Sequence, residues 1–235
     1  SNSKAIQHQL ITEENVPLKK TALIYNGVDE KRFTVRDKIS LRKKLGYLND
    51  QFIIICVANF IPHKGHMDLI NGLSQIKDKL PVDWKTLLVG KERKNGYTQS
   101  LKEIIKQTNL SKNVFFIEDC DESSPFLLAS DLGILPSHHE GFSNAIIEML
   151  AAGLPVIATH VGGNPEAVIH EKNGLLIRPH CPDDIAHSIL HFAKDENLRK
   201  KYGEHNYQVF LNNYTLNTCV EEYEKVYKSC YNVKN

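Results

Sequence analysis

Two spacings of apolar residues alternate along this chain. Continuous apolar runs of strand length occur at "FIIICVAN" (52–59), "KTLLVG" (85–90), "VFFI" (114–117), "LGILPS" (132–137), "PVIAT" (155–159) and "GLLIRP" (174–179). Unbroken runs of this kind suit strands whose two faces are both covered. Between them lie longer amphipathic stretches, "HMDLINGLSQIKDKL" (66–80), "YTQSLKEIIKQTN" (97–109), "SPFLLAS" (124–130) and "SNAIIEMLAAG" (143–153), which predict helices. Strand followed by helix, repeated, predicts an α/β protein: a doubly wound parallel sheet of about six strands with helices on both faces. Ligands of such sheets bind beyond the carboxyl ends of the strands.

The two ends of the chain read differently. Residues 1–25 predict a short helix and then "TALIYNGVD", in which Asn26-Gly27 signals a turn. Residues 182–231 contain no strand signal, and Val220, Tyr223, Tyr227 and Tyr231 share one helical face. That face packs either on its own domain or on a partner outside this sequence. The opening "SNSKAIQHQL" has no initiator Met and no signal-peptide core, so the expectation is a fragment of a longer protein.

Composition narrows the function. The 235 residues carry a formal net charge of +1, so no global field recruits nucleic acid or an anionic membrane. No apolar run reaches the ~18 residues of a membrane span. Cys56, Cys120, Cys181, Cys219 and Cys230 are scattered without a CxxC pair, which predicts reduced thiols and a cytoplasmic location, with no zinc or disulfide framework.

Chemistry concentrates in "HHEGFSNAIIEMLAAGLPVIATHVGGNPEAV" (138–168). With Ser143 as N-cap, Glu140 lies in the loop before a helix and Glu148 inside it. Asn144, Ala145, Ala151 and Ala152 surround Glu148 at helical spacing, while Ile146 and Leu150 occupy the opposite face. Glu148 therefore looks out over small side chains. Gly153 ends the helix, and Pro155 opens the next strand. Free N–H groups at a helix mouth attract a phosphate, and carboxylates before and within the helix can accept hydrogen bonds from hydroxyls. This arrangement suits a long ligand of sugar, phosphates and ribose.

The segment "EGFSNAIIE" resembles the E-x7-E signature of the retaining glycosyltransferases of family 4, whose fold is the two-domain glycosyltransferase B type. "SKAIQHQLI" and "ALIYNGVD" resemble that family's interdomain region, and "VANFIPHKGH" its diphosphate-binding segment. "TLLVG", "VFFIEDCD", "SDLGILPS", "AAGLPVIATHVGGNPEAV" and "NGLLIRP" resemble the rest of its C-terminal, Rossmann-like domain, in order. The resemblance implies that residues 1–25 are a remnant of an N-terminal domain and the interdomain linker, 26–200 the nucleotide-sugar-binding domain, and 201–235 helices returning toward the missing N-terminal domain. It implies that Glu148 binds ribose hydroxyls and Glu140 the donor sugar. Backbone amides of Gly141, Phe142, Ser143 and Asn144 would face sugar and phosphates, and Lys64 would contact the diphosphate. Lys64 and Glu140 are thus the expected catalytic residues. Enzymes of this fold generally work without a bound metal, so the resemblance implies no metal or other cofactor here. The donor would be a nucleoside-diphosphate sugar, UDP ahead of GDP. The acceptor, a glycan, lipid-linked glycan or small molecule, would be held by the absent N-terminal domain, so the fragment alone is expected to be inactive. The full enzyme is expected in the cytoplasm or at the cytoplasmic face of the membrane.

One position departs from the family pattern. Asn59 stands where a basic residue usually assists Lys64. Gly90, ending "LLVG", is expected to let the nucleotide approach closely, and Lys91, Arg93 and Lys94 to form a solvated loop. "VGGNPE" (161–166) reads locally as a turn, and the resemblance places it near the donor. His63, His66, His138 and His139 read as surface loop residues; the run His138-His139-Glu140 is a poor metal site because neighbours in an extended segment point apart. Two other readings stay open: an epimerase or phosphorylase of the same fold, or a non-catalytic nucleotide-sugar-binding module.

Overall fold

Six parallel strands form one sheet in the computed structural model, which describes residues 1–34, 37–93, 96–118 and 120–232. The strands are β1 (Ile53–Val57), β2 (Lys85–Gly90), β3 (Val114–Glu118), β4 (Leu132–Leu135), β5 (Val156–Thr159) and β6 (Gly174–Ile177), in the spatial order 3-2-1-4-5-6. Every expected strand is present. Each is shorter than or equal to its apolar run, apart from one extra residue on β3, because the outer residues of most runs enter loops.

The helices are α1 (Lys4–Thr12), α2 (Lys38–Leu45), α3 (His66–Ile76), α4 (Tyr97–Gln107), α5 (Ser124–Ala129), α6 (Asn144–Ala151), α7 (Asn164–Ala167), α8 (Pro182–Ala193), α9 (Glu196–Asn213) and α10 (Leu216–Asn232). They cover both sheet faces, and the alternation of strand side chains divides the core accordingly. Ile54, Cys56, Leu88, Ile134 and Ile157 point to the face packed by α3, α4 and α8. Ile53, Ile55, Leu87, Leu135, Val156 and Ala158 point to the face packed by α5, α6 and Phe210 of α9. This two-sided burial is what makes the strand sequences continuously apolar.

The terminal segments fasten onto this body. Ser3 is buried and caps α1, and the first amides of α1, at Lys4 and Ala5, donate to the Glu166 carboxylate at 2.9 and 3.0 Å. Val28 exchanges backbone hydrogen bonds with Tyr214 and Leu216, which anchors the start of α10. Beyond that anchor, Val220, Tyr223, Tyr227 and Tyr231 are exposed. Of the two readings for this face, packing on its own domain is not what the structure contains. All five cysteines are free, and no helix among the described residues is long and apolar enough to cross a membrane.

Candidate active site

Strand β1 neighbours β4 in the sheet, through Ile54–Leu132 and Ile55–Gly133 pairing, although the two are far apart in sequence. The chain leaves β1 toward α3 and leaves β4 toward α6, on opposite faces of the sheet. The divergence opens a cleft at the carboxyl ends of the strands, the switch point where ligands of this architecture bind. A cavity of about 450 Å³ occupies it. Asn59, Lys64, Gly90, Glu140, Phe142, Ser143, Asn144 and Glu148 all line it, together with Arg32, Lys91, Cys120, Asp121 and Ser123. A second cavity of the same size lies at the amino ends of the strands, around Lys38, Arg42 and Asp131. Its central ions are engaged in the fold. The buried Arg42 donates to Asp131 at 2.7 Å and to the Ala129 carbonyl at 2.9 Å, and Asp131 also accepts the Ile53 amide at 2.7 Å. The switch-point cavity is therefore the candidate site.

Lys64 follows β1 in a short 3-10 turn, and Glu140 follows β4. Lys64 Nζ donates to Glu140 Oε1 at 2.7 Å, with side chains 20% and 8% exposed. The nearly buried carboxylate is thus held by one cation, and the ammonium keeps further donors for a ligand. Glu148 sits on α6, its side chain 15% exposed. It accepts from Arg32 Nη1 at 3.2 Å and from Ser123 Oγ at 2.9 Å. Asn144 and Ala145, two of the small residues expected around it, border the cavity beside it, and two side chains from other segments, which the sequence did not show, already hold it. Arg32 in turn forks onto Glu122, which raises the Arg32 pKa and lowers that of Glu122, in each case chiefly through the hydrogen bonds between them.

Other expected residues divide. Ser143 takes the N-cap position of α6, yet its side chain makes no capping bond and is buried. The extended backbone at Ser143 starts the helix without help from its hydroxyl. Asn144 Oδ1 accepts from Asn26 Nδ2 at 2.7 Å, which ties the Asn-Gly turn to the helix mouth. Phe142 borders the cavity but packs its ring against Tyr25 and Tyr214, at 5.0 and 5.7 Å between centroids. Gly141 is not among the lining residues; its carbonyl accepts the Gly163 amide at 2.7 Å. Asn59 Oδ1 accepts the Lys91 amide at 3.3 Å and so joins the ends of β1 and β2.

Two glycines shape the rim. A Cβ on Gly90 would lie 2.0 Å from the Ala58 carbonyl oxygen, so the approach of two backbones already requires glycine at this cavity-lining position. Gly162 of "VGGNPE" has φ +50°, and a Cβ there would lie 1.7 Å from the Glu140 carbonyl oxygen. The turn therefore presses directly on the segment that carries Glu140, which makes it more than a plain turn.

The histidines are corrected individually. His66 is fully buried between Phe60 and Tyr97, and burial pushes its pKa down to about 4, which keeps it neutral. His138 is half-buried and bonded to Asp68. Both were expected at the surface. Lys91 and Arg93 are exposed, as expected for a solvated loop; Lys94, grouped with them, lies outside the described residues. Sequence reasoning missed Arg32, Ser123 and Glu122. Arg32 meets Glu148 across 116 positions, and no local periodicity carries that contact.

With this geometry in place, comparison assigns the class: the chain belongs to the family described as glycosyl transferases group 1, which matches residues 37–209. It is 30% identical over 226 residues to N-acetyl-alpha-D-glucosaminyl L-malate synthase of Bacillus anthracis, covering 95% of this chain and 58% of that protein. The fold matches a glycosyltransferase from Rickettsia africae with a TM-score of 0.89 at 25% identity, covering 97% of this chain and 62% of the other. It matches Anabaena Alr3699/HepE, solved in complex with UDP and glucose, with a TM-score of 0.88 at 26% identity, covering 97% and 62%. The chain thus spans about three-fifths of the length of these relatives. The Rossmann-like sheet is that of the carboxyl-terminal domain of glycosyltransferase B enzymes.

Proposed function

We propose that this chain is the donor-binding domain of a retaining glycosyltransferase, and that its cavity takes a nucleoside-diphosphate sugar, UDP ahead of GDP. The observation that carries the reading is the convergence of Lys64, Glu140 and Glu148 on one cavity at the strand switch point. Glu148 would accept the ribose hydroxyls, displacing or sharing Ser123 and Arg32. Glu140 would accept hydroxyls of the donor sugar. Lys64 would turn its remaining donors to the diphosphate, with the first amides of α6 beside it. As the sugar leaves, the diphosphate gains negative charge, and a fixed cation with preoriented N–H groups stabilises it. The family's same-face chemistry lets the leaving phosphate take the acceptor proton, so these residues need supply no nucleophile, metal or other cofactor. UDP is favoured because the Anabaena relative binds it with a glucose moiety.

The acceptor, a glycan, lipid-linked glycan or small molecule, would be held by sequence beyond this chain. In this reading residues 1–25 link to that second domain, and the exposed tyrosine face of α10 packs on it. The enzyme would act in the cytoplasm or at the cytoplasmic membrane face. Catalysis requires donor and acceptor in attack geometry, so residues 1–235 alone should bind donor with negligible transfer. Calorimetry with UDP, GDP and ADP and their sugars tests the reading. Saturable binding of one of them is expected, with transfer appearing when the upstream domain is restored on the same chain. No binding of any nucleoside diphosphate at millimolar concentration overturns it.

A further inference from the structure

Three strand-end segments meet beside the candidate site without belonging to its lining. Asp68 stands in the first turn of α3, His138 follows β4, and His180 follows β6. One ligand-type atom from each lies within 4.8 Å of the other two. His138 Nε2 is 2.7 Å from Asp68 Oδ2, and the rings of His138 and His180 lie 3.6 Å apart at 33°.

A hydrogen bond between Asp68 and His138 needs no third partner. His180 nevertheless holds its backbone in the left-handed region, at φ +55°, and its ring lies on His138. Two imidazoles and a carboxylate from three separate segments are the donor set that divalent transition metals take. We propose that Asp68, His138 and His180 form a binding site for one divalent ion of the zinc class. Bonds of about 2.0–2.1 Å in a tetrahedral arrangement put ligand atoms roughly 3.3 Å apart. The Asp68–His138 contact would open slightly, and the exposed His180 would close in. Water would complete the coordination.

Such an ion would brace the neighbouring site from outside. The His138 amide donates to the His63 carbonyl at 2.7 Å, and these two residues lie close in sequence to Glu140 and Lys64. Metal at the cluster would clamp together the two segments whose side chains form the Lys64–Glu140 pair. The role is structural and independent of which nucleotide binds.

The test uses residues 1–235 stripped with chelator and titrated with Zn²⁺ by calorimetry and with Co²⁺ by visible absorption. One equivalent should bind with a Kd of about micromolar or tighter, and Zn²⁺ should raise the Tm. His180→Asn keeps a residue that tolerates positive φ, at an exposed position where folding is not at risk. It should weaken binding at least ~10-fold and abolish the Tm shift. His205→Ala, an exposed change on α9, should bind as the parent does. Absence of saturable one-to-one binding, or a His180→Asn variant that binds as the parent does, overturns the proposal.

Discussion

Arg32 joins two carboxylates that the sequence places far apart: its Nη1 donates to Glu148 at 3.2 Å while its Nε and Nη2 fork onto Glu122. The residue proposed to receive the ribose is therefore already oriented before any ligand arrives. Its second oxygen is fixed by Ser123.

Glu148→Gln tests that role directly. A hydrogen bond to a charged group is worth about 1.5–3 kcal/mol, so affinity for a nucleoside diphosphate should fall roughly 10- to 100-fold. Thermal stability should change little, because an amide can still pair with Ser123 and Arg32. Unchanged affinity, or a collapse of the fold in the absence of ligand, would show that Glu148 is structural.

Arg32→Ala should weaken nucleoside-diphosphate binding by about 10-fold, since the cavity loses a cation and Glu148 loses its bracket. The diphosphate should suffer more than the bare nucleoside, and the difference should shrink at high salt. Calorimetry at two ionic strengths reads both effects. Equal losses for both ligands would mean that Arg32 only orients Glu148.

Asn59→Arg should tighten binding of the diphosphate and leave the nucleoside nearly unchanged, because an added cation near phosphate acts on charge. The change also removes the Asn59 bond to the Lys91 amide. A uniform weakening of both ligands would indicate that this bond shapes the strand ends more than position 59 serves the phosphate.

Gly162→Ala should be costly twice over. The positive φ disfavours alanine by about 1–2 kcal/mol, and the new methyl group would overlap the Glu140 carbonyl oxygen. A lowered Tm should accompany a disproportionate loss of donor-sugar affinity over that for the free nucleotide, because Glu140 is displaced. A variant with parental stability and binding would falsify the claim that the turn positions Glu140.

The sheet was legible in the sequence because it is covered on both sides: Ile53 to Cys56 are all fully buried, so no polar residue interrupts the run. Glu140, Glu148 and Lys64 were legible through their motif context, and their convergence on one cavity follows from the strand order. What was hidden depends on tertiary approach. Gly90 gives no sign in sequence that the Ala58 carbonyl faces it. His66 reads as a loop residue until the rings of Phe60 and Tyr97 enclose it. Arg32 carries no signal in "DEKRF" that sets it apart from Lys31 one position earlier, since only the fold decides which of the two turns inward.

The pairing of β1 with β4 has a consequence for how the molecule assembles. Lys64 belongs to the wing β3-β2-β1, and Glu140 and Glu148 belong to the wing β4-β5-β6. Neither wing holds a complete set. The two are joined in the sheet by Ile54–Leu132 and Ile55–Gly133 pairing and across one face by the shared core of α3 and α8, contacts between segments far apart in the chain, the kind that forms slowly. A nucleotide held as proposed, between Lys64 and Glu148, would span that seam and stabilise the joined state over any species with parted wings. In the proposed reading, nucleotide affinity would report on completed folding, and the ligand would act as a rivet between two halves.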